Sequence, residues 1–125
     1  MEMKIELIPI PVTDVDKAKT FYVEKVGFHA DHDFQVNEKL RFVQLTPPGS
    51  ACSIVLGTGI TPMMPGSVNA YQVVVKDVRK LREELLGRGV EVSEIDAQPW
   101  GVFARFSDPD GNTWSLQQLV PQNQK

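Results

Sequence analysis

A chain of 125 residues with 42% hydrophobic residues can form one domain with a sizeable buried core. The net charge of −3 at pH 7 and the lack of any basic run argue against a nucleic-acid partner. Because no apolar run approaches ~18 residues and the single cysteine cannot form an internal disulfide, we expect a cytoplasmic protein without a membrane anchor or an export signal.

The first predicted elements are a strand and a helix. The segment "IELIPIPV" (5–12) places every second residue on one apolar face, which is typical of a half-buried strand. Apolar residues then recur at helical spacing over 15–22, after a capping-box pattern formed by Thr13 and Asp16. Gly27 is placed to end this helix, and three short strand-like runs follow it.

The same pattern returns after about half the chain. Four residues recur 63 positions later: Val12, Asp14, Val15 and Lys17 as Val75, Asp77, Val78 and Lys80. Three more recur at a spacing of 62: Pro47, Gly49 and Ser53 as Pro109, Gly111 and Ser115. We therefore predict a single domain, 1–125, of two repeated βαβββ modules (about 4–57 and 68–119) joined by a linker at about 58–67.

The second helix and the last turn have clear local signals. Asp77 is the natural N-cap of a helix whose apolar stripe ends near Gly87. Further on, "SDPDGN" (107–112) carries three side chains with acceptor oxygens around Gly111. A calcium loop of the EF-hand type needs glycine at its sixth position, and Gly111 is fourth when counted from Asp108. Because Asp-Pro-Asp-Gly is favourable turn chemistry, we predict a turn between two strands.

The motifs "PVTDVDKAKTFY" and "FSDPDGNTWSLQQL", joined to the repeat, resemble those of the vicinal oxygen chelate superfamily. That group includes glyoxalases, extradiol dioxygenases and bleomycin-resistance proteins, and the likeness runs from about Lys4 to Gln118. It implies an α+β fold in which the two modules form a curved, cup-like mixed sheet with the helices outside. It also implies a homodimer.

The resemblance further implies where a metal would be held in this superfamily. The ligand positions, usually His and Glu, fall on Leu7, Ser53, Ala70 and Ser115. Leucine and alanine have no donor atom, and a neutral serine is a poor ligand for a transition metal. We therefore expect neither a metal nor another cofactor.

Strand alternation predicts which side chains line the cup, because residues of opposite parity face the helices. The predicted ligand-binding set combines aromatic and polar residues, as small-molecule pockets do. It comprises Phe42, Gln44, Ser53, Gln72, Trp100, Phe103, Arg105, Ser115 and Gln117.

Two members of this set allow more than one interpretation. Arg105 could hold a carboxylate or phosphate, or it could pair with a carboxylate of its own chain or of a dimer mate. Trp100 could stack on a planar ligand or pack at a module or dimer junction.

Other reactive residues have simpler explanations. His29 and His32 are three apart in "HADHD", so on a strand their imidazoles point to opposite faces and do not converge on a metal. Cys52 lies next to a predicted ligand position and therefore faces the other way, with no evident base beside it.

These observations favour a protein that binds an unidentified small molecule, planar or anionic, without a metal, for example to sequester a drug or metabolite. One alternative is a lyase, isomerase or dioxygenase of the same superfamily. A metal-free enzyme would require an acid or base in the cup, and Glu38, Arg41 and Tyr71 are the nearest candidates in the sequence. Another alternative is a structural or regulatory dimer with a vestigial cup. No catalytic residue is assigned.

Overall fold

The computed structural model describes residues 1–121, so the last four residues of the predicted domain lie outside the described residues. No helix in this range is long and apolar enough to cross a membrane. The elements in chain order are β1 (Leu7–Pro9), α1 (Val15–Thr20) continuing as a π-helical segment (Phe21–Val26), β2 (His29–Asn37), β3 (Leu40–Thr46), β4 (Ser53–Thr58), β5 (Tyr71–Val74), α2 (Val78–Gly87), β6 (Asp96–Gln98), β7 (Gly101–Ser107) and β8 (Thr113–Leu119).

The strands form two four-stranded mixed sheets with the same connections. Their orders are β1-β4-β3-β2 and β5-β8-β7-β6. The pairs β1–β4 and β5–β8 are parallel, and the other neighbouring strands are antiparallel. The predicted α+β class with two βαβββ modules is confirmed.

The chain divides into two compact units. The first module comprises Met1–Val68 together with the short segment Asp108–Asn112. The second module comprises Asn69–Ser107 and, among the described residues, 113–121. The turn predicted between the last two strands thus belongs, by its contacts, to the first module.

In the first module the core lies between α1 and the sheet. Ala18 and Tyr22 are buried on the helical side, and the helix packs against β4. Val43, Leu45 and Leu56 are completely buried on the facing strands. Since alternate residues of a strand point to opposite sides, the residues between them form the face of the sheet away from the helix.

The second module has the same arrangement around α2, which packs on β7 and β8. Val78 and Leu85 of the helix are completely buried. The rings of Phe106 and Trp114 stack at 6.3 Å between centroids on the helix side of the sheet. Apolar burial of this kind is the main favourable contribution to folding, at roughly 25 cal/mol per Å² of buried apolar surface.

The helix N-termini are capped by equivalent aspartates. Asp77 accepts a hydrogen bond from the backbone N–H of Lys80 at 3.0 Å, as predicted. In α1, however, the cap is Asp14, which accepts from the Lys17 N–H at 3.0 Å, so the expected capping box at Thr13 is wrong. The hydroxyl of Thr13 instead donates to Asp110, a residue far away in the sequence, at 2.6 Å.

The segment Asp108–Asn112 is a turn, as predicted, and the carboxylate of Asp108 organises it. One oxygen of Asp108 accepts the backbone N–H groups of Asp110 and Asn112, each at 2.9 Å. The other accepts the Tyr22 hydroxyl at 2.7 Å and the Asn112 side-chain amide at 2.9 Å. Because both oxygens already accept two hydrogen bonds, this carboxylate is used for structure and has little capacity left for a cation.

The side chain of Asn112 attaches the turn to the rest of the first module. It is completely buried. Its amide nitrogen donates to the Pro11 carbonyl at 2.8 Å, and its oxygen accepts the backbone N–H of Val68 at 3.1 Å. Two backbone groups that would otherwise be buried without partners are thereby satisfied.

We expect Asn112→Ala to destabilise the protein by roughly 2–4 kcal/mol, because it leaves several buried polar groups without partners. The midpoint of urea denaturation measures this loss. Thr13→Val is the control, since it removes an exposed hydrogen bond to the same turn and should cost less than about 1 kcal/mol. Equal losses in the two variants would contradict the central role of Asn112.

A second polar cluster lies on the helix side of the first module. Arg41 donates to Asp33 through Nε at 3.0 Å and through Nη2 at 2.9 Å, and the same Nη2 is 2.9 Å from Asp16 on α1. Lys19 donates to Asp33 at 2.9 Å. The hydrogen bonds from Arg41, and then from Lys19, lower the pKa of Asp33 from 3.8 to about 2. The hydrogen bonds that Arg41 donates to Asp33, and then to Asp16, raise the pKa of Arg41 above its ordinary value.

We expect Asp33→Asn to lower the free energy of unfolding near neutral pH by roughly 1–2 kcal/mol. Because the folded-state pKa of Asp33 is depressed, its contribution is fully present above its ordinary pKa of 3.8 and is lost as pH falls through about 2. The difference between wild type and variant, measured by urea denaturation, should therefore shrink between about pH 4 and pH 2. Asp16→Asn is the matched control, since the Asp16 side chain is 82% exposed and should contribute little.

Candidate functional site

The face of the second sheet that lies away from α2 carries a concavity of about 330 Å³. Ligand sites range from roughly 300 to 1,000 Å³, so this concavity is large enough for a small aromatic molecule. It is lined by Gln72, Asp96, Gln98, Trp100, Phe103, Arg105 and Gln117. Five of the nine residues in the predicted ligand-binding set therefore line one surface.

Strand register explains why these side chains are neighbours. Phe103 lies opposite Asp96 on one side and opposite Gln117 on the other. Arg105 lies opposite Ser115, which in turn lies opposite Gln72. Residues that lie directly opposite each other on paired strands point to the same face of the sheet.

Two aromatic side chains provide the apolar part of the concavity. Phe103 on β7 is buried and forms its floor. Trp100 lies with Pro99 in the two-residue turn between β6 and β7, since Gln98 pairs with Gly101. Trp100 is 56% exposed, so its indole presents a surface on which a planar molecule can stack.

Arg105 is the cationic residue that lines the concavity. Its side chain is 51% exposed, and its Nη1 lies 3.7 Å from a carboxylate oxygen of Asp96. The guanidinium carbon lies 6.0 Å from the centroid of the Phe103 ring. The expected alternative, pairing with a carboxylate of its own chain, is therefore present, but a long and exposed ion pair contributes little. An incoming carboxylate can replace Asp96 at the guanidinium without a large loss of free energy.

Two glutamines add oriented polar groups. The side-chain amide nitrogen of Gln72 donates to the side-chain oxygen of Gln117. This arrangement leaves the carbonyl oxygen of Gln72 and the amide nitrogen of Gln117 for other hydrogen bonds. Ser115 lies in the same row, but it is buried and does not line the concavity.

The remaining three predicted residues lie in the first module. Phe42 and Gln44 are half-buried on β3, and Ser53 is buried on β4. The amide nitrogen of Gln44 donates to the Ser53 hydroxyl at 3.3 Å. These three residues therefore form a polar and aromatic surface on the first sheet.

Sequence reasoning missed Asp96 and Gln98 on β6. The strand has three residues, which is too short for alternation to be detected in "EIDAQPW". The usable signal was the Trp-Gly pair at 100–101. A two-residue turn that ends at Trp100 places Gln98 opposite Gly101. The amide nitrogen of Gln98 donates to Asp96 at 2.7 Å, which orients the carboxylate that faces Arg105.

The positions that the resemblance to the vicinal oxygen chelate superfamily implies for metal ligands do not carry suitable ligands here. Leu7 pairs with Ser53, so the first sheet offers one hydrocarbon side chain and one hydroxyl at these positions. In the second sheet Ser115 pairs with Gln72, while Ala70 precedes β5 with a left-handed φ of 60°. Within residues 1–121 there is no group of three or more His, Cys, Asp or Glu side chains that could hold a metal ion.

The histidines and the cysteine do not form a reactive group. The prediction that His29 and His32 point to opposite faces is wrong, because the irregularity between them places them opposite Thr46 and Gln44, on the same face of the sheet. His29 is exposed near Asp31 at 3.7 Å, and the ring of His32 stacks on Phe34 at 5.6 Å. The thiol of Cys52 lies 3.6 Å from the Ser53 carbonyl. Burial, and then the negative charge of Glu6, raise the pKa of the Cys52 thiol, which makes it a weaker nucleophile at neutral pH.

With this geometry established, comparison with known proteins identifies the family. The family model described as the Glyoxalase/Bleomycin resistance protein/Dioxygenase superfamily matches residues 4–116. The chain belongs to this superfamily, and the expected resemblance is confirmed.

Individual relatives agree with this assignment. TnmS3, an antibiotic binding protein from Streptomyces sp. CB03234, is 39% identical, with a TM-score of 0.87, over 95% of this chain and 98% of its own. A glyoxalase/bleomycin resistance protein from the same organism is 41% identical, with a TM-score of 0.82, over 92% and 100% of the two chains. The uncharacterized protein YetH of Bacillus subtilis (strain 168) is 30% identical over 94% of this chain and 100% of its own.

We expect protein purified without an affinity tag to contain less than about 0.1 equivalent of transition metal, because the donor set is inadequate. Elemental analysis by mass spectrometry measures this directly. Added Zn²⁺, Ni²⁺ or Mn²⁺ should also leave the melting temperature unchanged, since an ion that binds only the native state would raise it. Stoichiometric metal in the purified protein would contradict this interpretation.

Proposed function

We propose that this protein binds a small planar molecule with an anionic group, non-covalently and without a metal. The observation that carries the proposal is the concavity of the second module, where a buried Phe103, an exposed Trp100 and a loosely paired Arg105 lie together. Aromatic surface with a few oriented polar groups is the usual composition of a small-molecule site.

The relatives support a binding role. The neighbour TnmS3 is described as an antibiotic binding protein, and its identity and coverage extend over nearly the whole chain. Binding alone is enough to lower the free concentration of a toxic compound or metabolite. We therefore propose sequestration of such a molecule as the function.

The geometry supports binding over catalysis. Of the acid or base candidates, Tyr71 packs edge-on against Trp114 on the helix side, at 5.7 Å between ring centroids. Arg41 is engaged by two carboxylates on the helix side of the first module, and Glu38 lies in the exposed turn between β2 and β3. General acid–base catalysis requires such a group within hydrogen-bonding reach of the substrate.

Two further expectations remain predictions. The resemblance implies a homodimer, which light scattering on the purified protein can measure. A cytoplasmic location follows from the sequence composition and can be checked by fractionation of the producing cells.

The binding proposal predicts opposite effects for the two members of the ion pair in the concavity. With 2-naphthoate as the probe, Arg105→Met should weaken binding roughly tenfold, or ~1.4 kcal/mol, because the carboxylate loses its cationic partner. Asp96→Asn should strengthen binding, because it removes the internal competitor of the ligand. Titration calorimetry, with the melting-temperature shift as a second measurement, gives the dissociation constants.

The controls separate a specific contact from a general effect of charge. Arg79→Met makes the same change in net charge on the exposed surface of α2 and should leave the affinity unaltered. The uncharged probe 2-naphthamide should bind wild type and Arg105→Met equally. If neither 2-naphthoate nor a wider panel of aromatic metabolites and antibiotics stabilises the wild type, the proposal is wrong.

A further inference from the structure

An irregularity in the first sheet aims a carboxylate at the face that lies away from α1. In the register of β2 against β3, His29 lies opposite Thr46, Ala30 opposite Leu45, and His32 opposite Gln44. Asp31 is therefore the extra residue of a bulge. A bulge re-aims a side chain, and here Asp31 accepts a hydrogen bond from the Thr46 hydroxyl.

Further hydrogen bonds continue from Thr46 across the sheet. The hydroxyl oxygens of Thr46 and Ser53 lie 2.6 Å apart, and the Gln44 amide lies 3.3 Å from the Ser53 hydroxyl. We call the set Asp31, Thr46, Ser53 and Gln44 the hydroxyl chain. It runs over three neighbouring strands, β2, β3 and β4.

The chemistry of Asp31 sets the direction of every bond in the hydroxyl chain. An ionised carboxylate can only accept, so Thr46 must donate to it. A hydroxyl has one proton, so Thr46 then accepts from Ser53. The proton of Ser53 is thereby used, and Gln44 can bond to it only through its amide nitrogen. The carbonyl oxygen of Gln44 is consequently the end of the amide that is turned away from Ser53.

Aromatic side chains share this face with Gln44. Phe42 lies opposite Phe34 on the paired strands, and Phe34 is 57% exposed. The ring of His32, opposite Gln44, stacks on Phe34 with 19° between their planes. Flat apolar surface therefore lies beside a half-buried amide whose carbonyl oxygen is turned away from Ser53.

We infer that Gln44 is a specificity-determining residue on this face of the first module, where it recognises a planar molecule by a hydrogen-bond donor such as a hydroxyl or an amino group. The inference rests on the proposed small-molecule function but uses other residues than those of the second module. Asp31, Thr46 and Ser53 are positioning residues, because they act through the orientation of Gln44.

One nearly isosteric substitution can reverse the orientation of the Gln44 side-chain amide. In Thr46→Val the Ser53 hydroxyl loses its acceptor and can donate to the carbonyl oxygen of Gln44. The Gln44 amide then turns and presents its nitrogen, so the surface should change from a preference for donors to a preference for acceptors. A residue with only a structural role would weaken all ligands alike and would not change their order.

The probes are 7-hydroxycoumarin and 7-methoxycoumarin at about pH 6.5, which differ in whether the substituent can donate. NMR titration reports this surface alone when it follows the side-chain amide signal of Gln44 and the backbone amide signals of Gln44, Phe34 and Phe42. Wild type should bind the hydroxy compound about fivefold more tightly, since a hydrogen bond contributes roughly 1 kcal/mol. Thr46→Val should reduce this ratio to about one or below.

Two further variants keep the test decisive. Thr58→Val makes the same change on β4 outside the hydroxyl chain and should keep the wild-type ratio. Ser53→Ala releases the Gln44 amide without touching Thr46 and should abolish the preference, which provides a second answer if Thr46→Val is unstable. An unchanged ratio in a folded Thr46→Val or Ser53→Ala protein would overturn the inference, as would wild type that binds neither coumarin at this surface.

Failure of the proposed function has a different signature. The 2-naphthoate probe is followed through the signals of Phe103 and Arg105 in the second module. Loss of that response with a retained coumarin preference would reject the second-module proposal alone. The reverse pattern would reject only the role of the hydroxyl chain.

Discussion

Each sheet of this protein buries one face under a single helix, and this constraint determines what the other face can be. Because strand residues alternate, an apolar requirement at Val43, Leu45 and Leu56 assigns the residues between them to the opposite side. The same rule separates Phe106 from Arg105 in the second module. Polar and aromatic side chains can therefore collect on the face away from the helix without disturbing the core, and the candidate site is a consequence of the pleat.

Features governed by local sequence could be predicted, and features governed by distant partners could not. The Asp77 cap, the strand faces and the Asp-Pro-Asp-Gly turn depend on neighbours within a few residues. The predicted cap of α1 is wrong because the Thr13 hydroxyl donates a hydrogen bond to Asp110, which is 97 positions away. The bulge at Asp31 exists only through pairing with β3, so nothing in the local pattern indicates that its carboxylate reaches Thr46.

Two arginines on equivalent hairpin strands illustrate how parity separates structure from binding. Arg41 faces the helix side and is engaged by Asp33 and Asp16 through short contacts, each of about 3 Å. Arg105 faces the other side and meets Asp96 at 3.7 Å. A short, multiple ion pair stabilises the fold and is hard to exchange, whereas a long, exposed pair is easily displaced. The contrast explains why the proposed function uses Arg105 for recognition and not Arg41, although both are the same residue type on a β-strand.

The chemistry of the sheet faces away from the helices is consistent with the proposed binding function. The positions that bind metal in the superfamily are occupied by Leu7, Ser53, Ala70 and Ser115, and both serines are buried. The Ser53 hydroxyl is instead used inside the sheet, where it transmits the direction set by Asp31 to Gln44. A position that would otherwise hold a cation thus helps to orient a hydrogen-bond acceptor. Under the proposed function, shape and hydrogen bonding replace coordination while the fold is retained, which is sufficient for binding a molecule and leaving it intact.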